Sequence, residues 1–171
     1  AFAGPIGFAS LVASLALQYE TTLALLVHYD LLADRGGRRR LWSLLGVNLL
    51  TGIAILFGLV LLILPGIYLL VRWSAAVPAL LAEDSDVSAS LRLSAEAVEG
   101  RFWHVLAALV LVWIPGVAGV LASALVPENE VLIASLALNL SLNLSLIAGW
   151  HLAVAIYAGR RDAVSLAEVF A

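Results

Sequence analysis

The sequence predicts an all-α protein, a polytopic transmembrane helical bundle with about five spans and one interfacial amphipathic helix. Composition is the first reason. Of the 171 residues, 63% are hydrophobic and 12% are charged, with a mean hydropathy of +1.06, whereas soluble domains carry about 45–50% apolar and about 25% charged residues. The second reason is that the apolar residues form long stretches. A water-soluble domain of this size cannot bury so much apolar surface, so we expect lipid to cover it.

Five apolar stretches, bounded by charged or turn-forming residues, supply the predicted spans. A span needs about 20 residues, so the third stretch is short and is expected to be thin or tilted. Pro65-Gly66 separates it from the second stretch, and the two together, about 40 residues, are too long for one crossing. We therefore predict a helical hairpin rather than one long kinked helix. The predicted spans of this single transmembrane domain are 6–32, 41–64, 66–81, 102–125 and 131–158.

The arginines predict the orientation. Eight of the nine basic residues lie in three segments outside the spans, whereas Pro65-Gly66 and the segment 127–130 carry none. Five crossings put all three basic segments on one side, which the positive-inside rule makes cytoplasmic. The chain then starts outside, and we expect an upstream helix, absent from this sequence, to make six. The basic segments hold Arg35, Arg38, Arg39 and Arg40, then Arg92 and Arg101, then Arg160 and Arg161.

Residues 86–99, between the third and fourth spans, are too polar to insert but carry the signals of a helix. Ser85 or Asp86 is a suitable N-cap, and Gly100 is a suitable stop. The pattern predicts an amphipathic helix lying on the cytoplasmic leaflet, with a solvated linker helix as the alternative. The apolar face holds Val87, Leu91 and Val98, and the polar face holds Arg92, Glu96 and Glu99.

A motif of about 40 residues surrounds this helix. It consists of Pro65-Gly66-Ile67-Tyr68, then Arg72-Trp73, the amphipathic helix and Gly100-Arg101-Phe102-Trp103. The motif resembles the membrane domain attached to some bacterial glycerophosphodiester phosphodiesterases, and its stand-alone six-helix inner-membrane relatives. The resemblance implies a six-helix bundle in a bacterial inner membrane, from a family whose stand-alone members have no established function.

The diesterase activity of the fused members is not expected here. Their soluble domain has a His-Arg pair with metal-binding carboxylates, as the resemblance implies, whereas none of the histidines of this chain precedes an arginine. We also find no serine triad, paired-carboxylate site or phosphate-binding glycine loop. The absence of cysteine excludes thiolate metal sites. We therefore expect no enzyme activity, no metal and no cofactor, and the mild net charge of −3 gives no surface for nucleic acid.

Two ionisable residues lie inside predicted spans, Glu20 in the first and Arg72 in the third. A charge in hydrocarbon costs about 2.5–3.5 kcal/mol on insertion scales, so such residues need partners. We expect Glu20 and Arg72 to form a buried ion pair that fixes helix packing. A proton or anion pathway is one alternative, and a protonated or snorkelling Glu20 is another.

The last span carries polar residues on more than one face. Asn139 and Asn143 follow Ser135 at intervals of four, and Ser141, Ser145 and Gly149 lie on the adjoining face. Amides need partners and small residues permit close approach, so this helix is expected in the bundle interior. In the fourth span, Pro115-Gly116 predicts a kink and Gly119 with Ser123 a close helix contact; a gating hinge is the alternative.

Three function classes remain open. The first is a non-catalytic scaffold or accessory subunit of a membrane complex or of envelope lipid handling, with lipid and other membrane-protein subunits as partners. The second is a transporter-like module that uses Glu20, Arg72, Asn139 and Asn143. The third is a haem- or chlorophyll-binding subunit, for which His28, His104 and His151 are weak candidate ligands. A closely packed bundle around the polar residues favours the first class, and a water-accessible cavity favours the second.

Overall fold

The computed structural model confirms an all-α helical bundle, about 89% helical and without strands in the described residues. The described backbone covers 3–32, 41–61, 63–83, 85–127 and 130–169, and the described side chains cover 12–32, 42–61, 63–83, 85–127 and 130–161. The helices within these ranges are α1 (Ala3–His28), α2 (Leu41–Leu61), α3 (Ile63–Arg72), α4 (Ala76–Ala82), α5 (Val87–Val98), α6 (Phe102–Leu125) and α7 (Val131–Val169).

Four segments of the described chain are long and apolar enough to cross a membrane, so the chain is a membrane protein. These segments, Trp42–Leu61, Ile63–Ala82, Phe102–Leu125 and Val131–Arg161, match the last four predicted spans. The first predicted span, 6–32, is helical as α1, but its side chains before Val12 lie outside the described residues. The predicted basic loop at 35–40 and the acidic turn at Glu128 also lie outside them.

The predicted hairpin of the second and third spans is present as α2 and α3. A Cβ atom placed on Gly58 would lie 2.8 Å from the Gly66 Cα, whereas these residues would be about 12 Å apart in one continuous helix. The reversal comes before the predicted Pro65-Gly66 turn, because α3 already begins at Ile63. Pro65 stands in the first turn of α3, where its missing N–H leaves no helical hydrogen bond unmade.

The third predicted span, 66–81, is two helices and not one. Between α3 and α4, the hydroxyl of Ser94 accepts a hydrogen bond from the Ala75 backbone N–H (3.0 Å) and donates one to the Arg72 carbonyl (2.8 Å). Ser94 is fully buried, so a side chain from α5 satisfies the backbone groups that the break exposes. The sequence does not reveal this break, because the residue that stabilises it is about 20 positions away.

The amphipathic helix 86–99 is confirmed as α5. Asp86 is its N-cap, with Oδ1 accepting from the Ala89 N–H at 2.7 Å, and Gly100 ends it with a positive φ of 73°. Its location at the cytoplasmic leaflet stays a prediction, and its apolar face packs against protein. Val98 is buried, and Val87 and Leu91 pack against the protein core, because the helix touches α2, α3, α4 and α7.

The bundle has two regions of different character. Buried side chains gather around α4 and form what we call the packed core; α4 itself is almost entirely buried. We call the described residues from Ile114 through Ile147 the α6–α7 arm. Most of them are exposed, and those that are buried are Gly116, Gly119 and Ser145. Representative core residues are Tyr19, Leu26, Leu44, Val47, Val71, Ala79, Leu80, Val98, Val154 and Tyr157.

Candidate functional site

A cavity of about 310 Å³ lies between α1, α2, α3, α4, α6 and α7, at the base of the α6–α7 arm. None of the described residues that line it is ionisable. Its polar and aromatic lining consists of Gln18, Thr22, Asn48, Thr51, Trp73, Ser74, Trp113 and Trp150. The cavity therefore combines uncharged hydrogen-bonding groups with indole rings, inside the apolar part of the chain.

Two amides join α1 to α2 across this cavity. The Asn48 amide nitrogen donates to the Gln18 side-chain oxygen and to the Leu44 carbonyl, both at 3.1 Å. Both hydrogens of the Asn48 amide are thus used. Among the described residues, the Gln18 amide nitrogen and the Asn48 amide oxygen have no partner. The site consequently offers a ligand at least one hydrogen-bond donor and one acceptor.

Two hydroxyl groups of the lining use their hydrogen within the protein and can only accept a hydrogen bond from a ligand. Thr51 donates to the Val47 carbonyl of its own helix, and Ser74 donates to the Val71 carbonyl at 2.8 Å. A hydroxyl that donates inward in this way keeps a lone pair for another donor. Together with the amides, these groups suit the hydroxyl or amide of an uncharged molecule.

Three tryptophans complete the lining. Trp73 follows α3, Trp113 belongs to α6 and Trp150 to α7. An indole ring presents a large apolar face and one N–H donor, so it contacts both the apolar and the polar part of an amphiphile. Neither Trp150 nor Asn48 was predicted to belong to a site. The missing information was spatial, because Gln18 and Asn48 are 30 positions apart.

The predicted ion pair of Glu20 and Arg72 is wrong. Glu20 is exposed on α1, whose buried face holds Tyr19, Thr22 and Leu26. Arg72 donates to the Tyr68 hydroxyl at 2.7 Å, and its guanidinium lies 5.5 Å from the centre of the same ring. No ion pair joins the two predicted partners within the described part of the chain. The partner of Arg72 is thus a tyrosine one turn earlier in α3, and not the predicted carboxylate.

Asn139 and Asn143 do not lie in the bundle interior, contrary to the prediction. Both are exposed on the α6–α7 arm. Each donates to a carbonyl of its own helix four residues earlier, Asn139 to Ser135 at 2.8 Å and Asn143 to Asn139 at 2.7 Å. Neither lines the cavity.

The close helix contact predicted at Gly119 is present, and the helix that approaches Gly119 is α7. A Cβ on Gly119 would lie 2.5 Å from the Ser141 Cβ. The buried Ser145 hydroxyl accepts from the Gly116 N–H at 2.9 Å, directly after Pro115. Ser123, predicted at this contact, instead donates to the Val120 carbonyl of its own helix. The small residues that meet are thus Gly116 and Gly119 on one helix and Ser141 and Ser145 on the other.

The histidines lie outside the cavity. His28, His104 and His151 are all exposed, and His151 contacts the Ile147 carbonyl through Nδ1 at 2.8 Å. The rings of His28 and Tyr29 are in edge-to-face contact. In the residues that the structure describes, no group of three or more acidic or histidine side chains is placed to hold a metal ion.

A polar cluster that was not predicted from the sequence joins residues 157–161 of α7 to the packed core. Arg160 lies 3.1 Å from a Glu96 carboxylate oxygen and 3.6 Å from one of Glu83. The hydroxyl of the buried Tyr157 donates to Glu83 at 2.7 Å, and Arg161 donates to the Leu31 carbonyl at 2.8 Å. Arg160 and Arg161, predicted only as markers of topology, therefore also connect α7 to α5, to the end of α4 and to Leu31 in the segment after α1.

No protein-family model, no curated protein and no solved structure matches the chain. The resemblance to the diesterase-associated membrane domain therefore stays a prediction.

Proposed function

We propose that this chain is a non-catalytic membrane protein that binds an uncharged amphiphile in its cavity and takes part in the handling of envelope lipid. The observation that carries the proposal is the composition of the cavity lining, which combines amide and hydroxyl groups with three indole rings. No ionisable side chain is present among the described lining residues. A ligand with a hydroxyl or amide head and an apolar body fits that lining.

The hydrogen-bonding capacity of the two amides supports a bound ligand. The Gln18 nitrogen and the Asn48 oxygen are accessible from the cavity rather than fully buried, and each can form a further hydrogen bond. A hydroxyl group, which both donates and accepts, can bind both residues at once. An anionic head group would find no cation in the described lining.

The size of the site supports the binding of a head group or a small amphiphile rather than of a whole lipid. Its volume of about 310 Å³ is at the lower end of the range of ligand pockets, about 300–1,000 Å³. Apolar surface continues from Trp113 onto the exposed side chains of the α6–α7 arm. Apolar tails of a ligand held in the cavity would have that surface beside them.

The uncharged lining also supports a non-catalytic role. General acid–base chemistry needs a titratable side chain near the reacting group, and the described lining offers none.

The proposed location is a bacterial inner membrane with the basic segments in the cytoplasm, and its basis is the arginine distribution and the resemblance. The accessory role in a membrane complex belongs to the same proposal.

A transporter-like module is the second candidate, because a cavity within a membrane bundle is what such a module requires. Its polar site would then consist of Gln18 and Asn48, and not of Glu20, Arg72, Asn139 and Asn143 as the sequence analysis expected. Uptake of a labelled amphiphile into proteoliposomes separates the two candidates. Binding without movement supports the first, and uptake that Asn48→Leu abolishes supports the second.

Quenching of tryptophan fluorescence tests the binding site. Exposed Trp42 and Trp103 are first replaced by phenylalanine, so that Trp73, Trp113 and Trp150 report on the cavity. We expect a brominated diacylglycerol to quench this emission saturably. Asn48→Leu should weaken binding about tenfold through the loss of one to two hydrogen bonds.

The matched control is Asn139→Leu, which removes the same amide from a position outside the cavity and should leave binding unchanged. A brominated phosphatidylglycerol, which is anionic, should quench less. Equal affinity of the parent chain and Asn48→Leu, or stronger binding of the anionic lipid, would contradict the proposal.

A further inference from the structure

Ser135, Asn139 and Asn143, which we call the amide stripe, lie at intervals of four on α7 and are all exposed. The stripe is inside the apolar segment Val131–Arg161. Residues at this interval share one face of a helix. A line of polar side chains therefore points away from the protein at a depth where the surroundings are hydrocarbon.

The hydrogen bonds of the stripe use only part of the donors and acceptors of its two amides. Asn139 and Asn143 each donate one N–H to a carbonyl of α7, at 2.8 and 2.7 Å. Each amide keeps a second N–H and an oxygen with two lone pairs. Lipid tails offer neither donor nor acceptor, so these groups favour contact with another protein surface.

The contact of α7 with α6 does not cover the stripe. Ser141 and Ser145, which meet Gly119 and Gly116 of α6, each follow a stripe asparagine by two residues. Two residues correspond to about 200° around a helix. The stripe consequently lies on the side of α7 opposite to α6.

We propose that the amide stripe joins two copies of this chain through a parallel contact of their α7 helices. All copies have the same orientation in one membrane, so a two-fold axis along the membrane normal places each residue at the depth of its counterpart. An asparagine amide is both donor and acceptor and therefore pairs with an identical amide, which a charged side chain cannot do. Asn139 then meets Asn139 of the second copy, and Asn143 meets Asn143, as a buried asparagine does in a parallel helix pair.

Disulfide cross-linking in native membranes tests this contact, because the chain contains no cysteine. Asn139→Cys should give a covalent dimer on mild oxidation. Leu144→Cys is the control, since Leu144 is exposed and lies about 1.4 turns further on, about 140° away from Asn139 around the helix. The pairing is contradicted if Leu144→Cys cross-links as well as Asn139→Cys does, or if Asn139→Cys links only to a different protein or to nothing.

A second measurement keeps the proposal testable without introduced thiols. Energy transfer between labelled copies in liposomes gives the dimer dissociation constant. Replacing Asn139 and Asn143 together with leucine should raise that constant about tenfold, given the modest strength of hydrogen bonds between membrane helices. Leu144→Ala should not change it. An unchanged constant in the double variant would show that the amides do not hold the copies together.

Discussion

The packed core and the α6–α7 arm are both highly apolar, yet they are held together differently. In the core, buried apolar side chains are joined by polar connections, such as Ser94 at the helix break and Arg160 between two glutamates. In the arm, Leu121, Leu125 and Leu132 are exposed, and the two helices meet through small residues. Lipid is as apolar as leucine, so an apolar side chain gains little from burial against protein. Apolarity thus predicts insertion into the membrane but not position within the bundle.

The largest expected effect concerns the arm. Gly119→Val should lower the free energy of unfolding by about 3 kcal/mol, at the upper end for overpacking, because a Cβ there would lie 2.5 Å from the Ser141 Cβ. Gly52→Val is the control, since a Cβ on Gly52 meets nothing within 4 Å. Unfolding in mixed detergent measures both. If the two variants were equally stable, the arm would not depend on the glycine contact.

In the packed core, Ser94→Ala should cost about 2 kcal/mol, because it leaves buried backbone groups of Arg72 and Ala75 without a partner. Ser88→Ala, on the exposed face of the same helix, should change the free energy of unfolding by less than about 0.5 kcal/mol. The same detergent unfolding measures the two. A small effect of Ser94→Ala would mean that water replaces the hydroxyl, and therefore that water reaches the packed core.

A smaller effect is expected at the polar cluster, because its charges are partly exposed. Arg160→Gln should cost below about 1 kcal/mol, and the loss should shrink in high salt. A double-mutant cycle with Glu96→Gln should show coupling, whereas the cycle of Arg92→Gln with Glu96→Gln should show almost none. The Arg92–Glu96 distance is 3.8 Å and Arg92 is 73% exposed. Equal coupling in the two cycles would contradict a special role for Arg160.

The smallest effect concerns the N-cap of α5. The hydrogen bond from the Ala89 N–H, and then that from the Ser88 hydroxyl, lower the pKa of Asp86 below its ordinary 3.8. A depressed folded-state pKa stabilises the protein above the unfolded value, and this contribution is lost as the pH falls through the folded value. Stability measured below about pH 4 should therefore decline more in the parent chain than in Asp86→Asn. An identical decline would show that the cap does not contribute.

Local signals predicted the fold well. Asp86 and Gly100 bound α5, because caps and breakers act on neighbouring residues. Pro65-Gly66 indicated the α2–α3 hairpin, although both residues lie just inside α3. The site was predicted poorly. A pair of Glu20 and Arg72 was predicted because each needed a partner, but Arg72 forms its hydrogen bond with Tyr68 of the same helix. The sequence shows which residue needs a partner, whereas the identity of that partner depends on packing.

The asparagines are a second case in which the sequence did not identify the residues of the site. Asn48, without distinction in the sequence, lines the cavity, whereas the regularly spaced Asn139 and Asn143 face outward. Spacing identifies a shared helix face, but which face meets the cavity depends on how α2 and α7 are placed around it. Hydrophobic patterning gives little help here, because both faces of a membrane helix are apolar.

Native mass spectrometry of the protein extracted from its own membrane tests the central claim most directly, namely that the cavity holds an uncharged amphiphile. The account predicts a bound species with the mass of a neutral, hydroxyl- or amide-bearing amphiphile, retained by Asn139→Leu and lost from Asn48→Leu. A bound anionic lipid, or equal occupancy in Asn48→Leu and the parent chain, would contradict it.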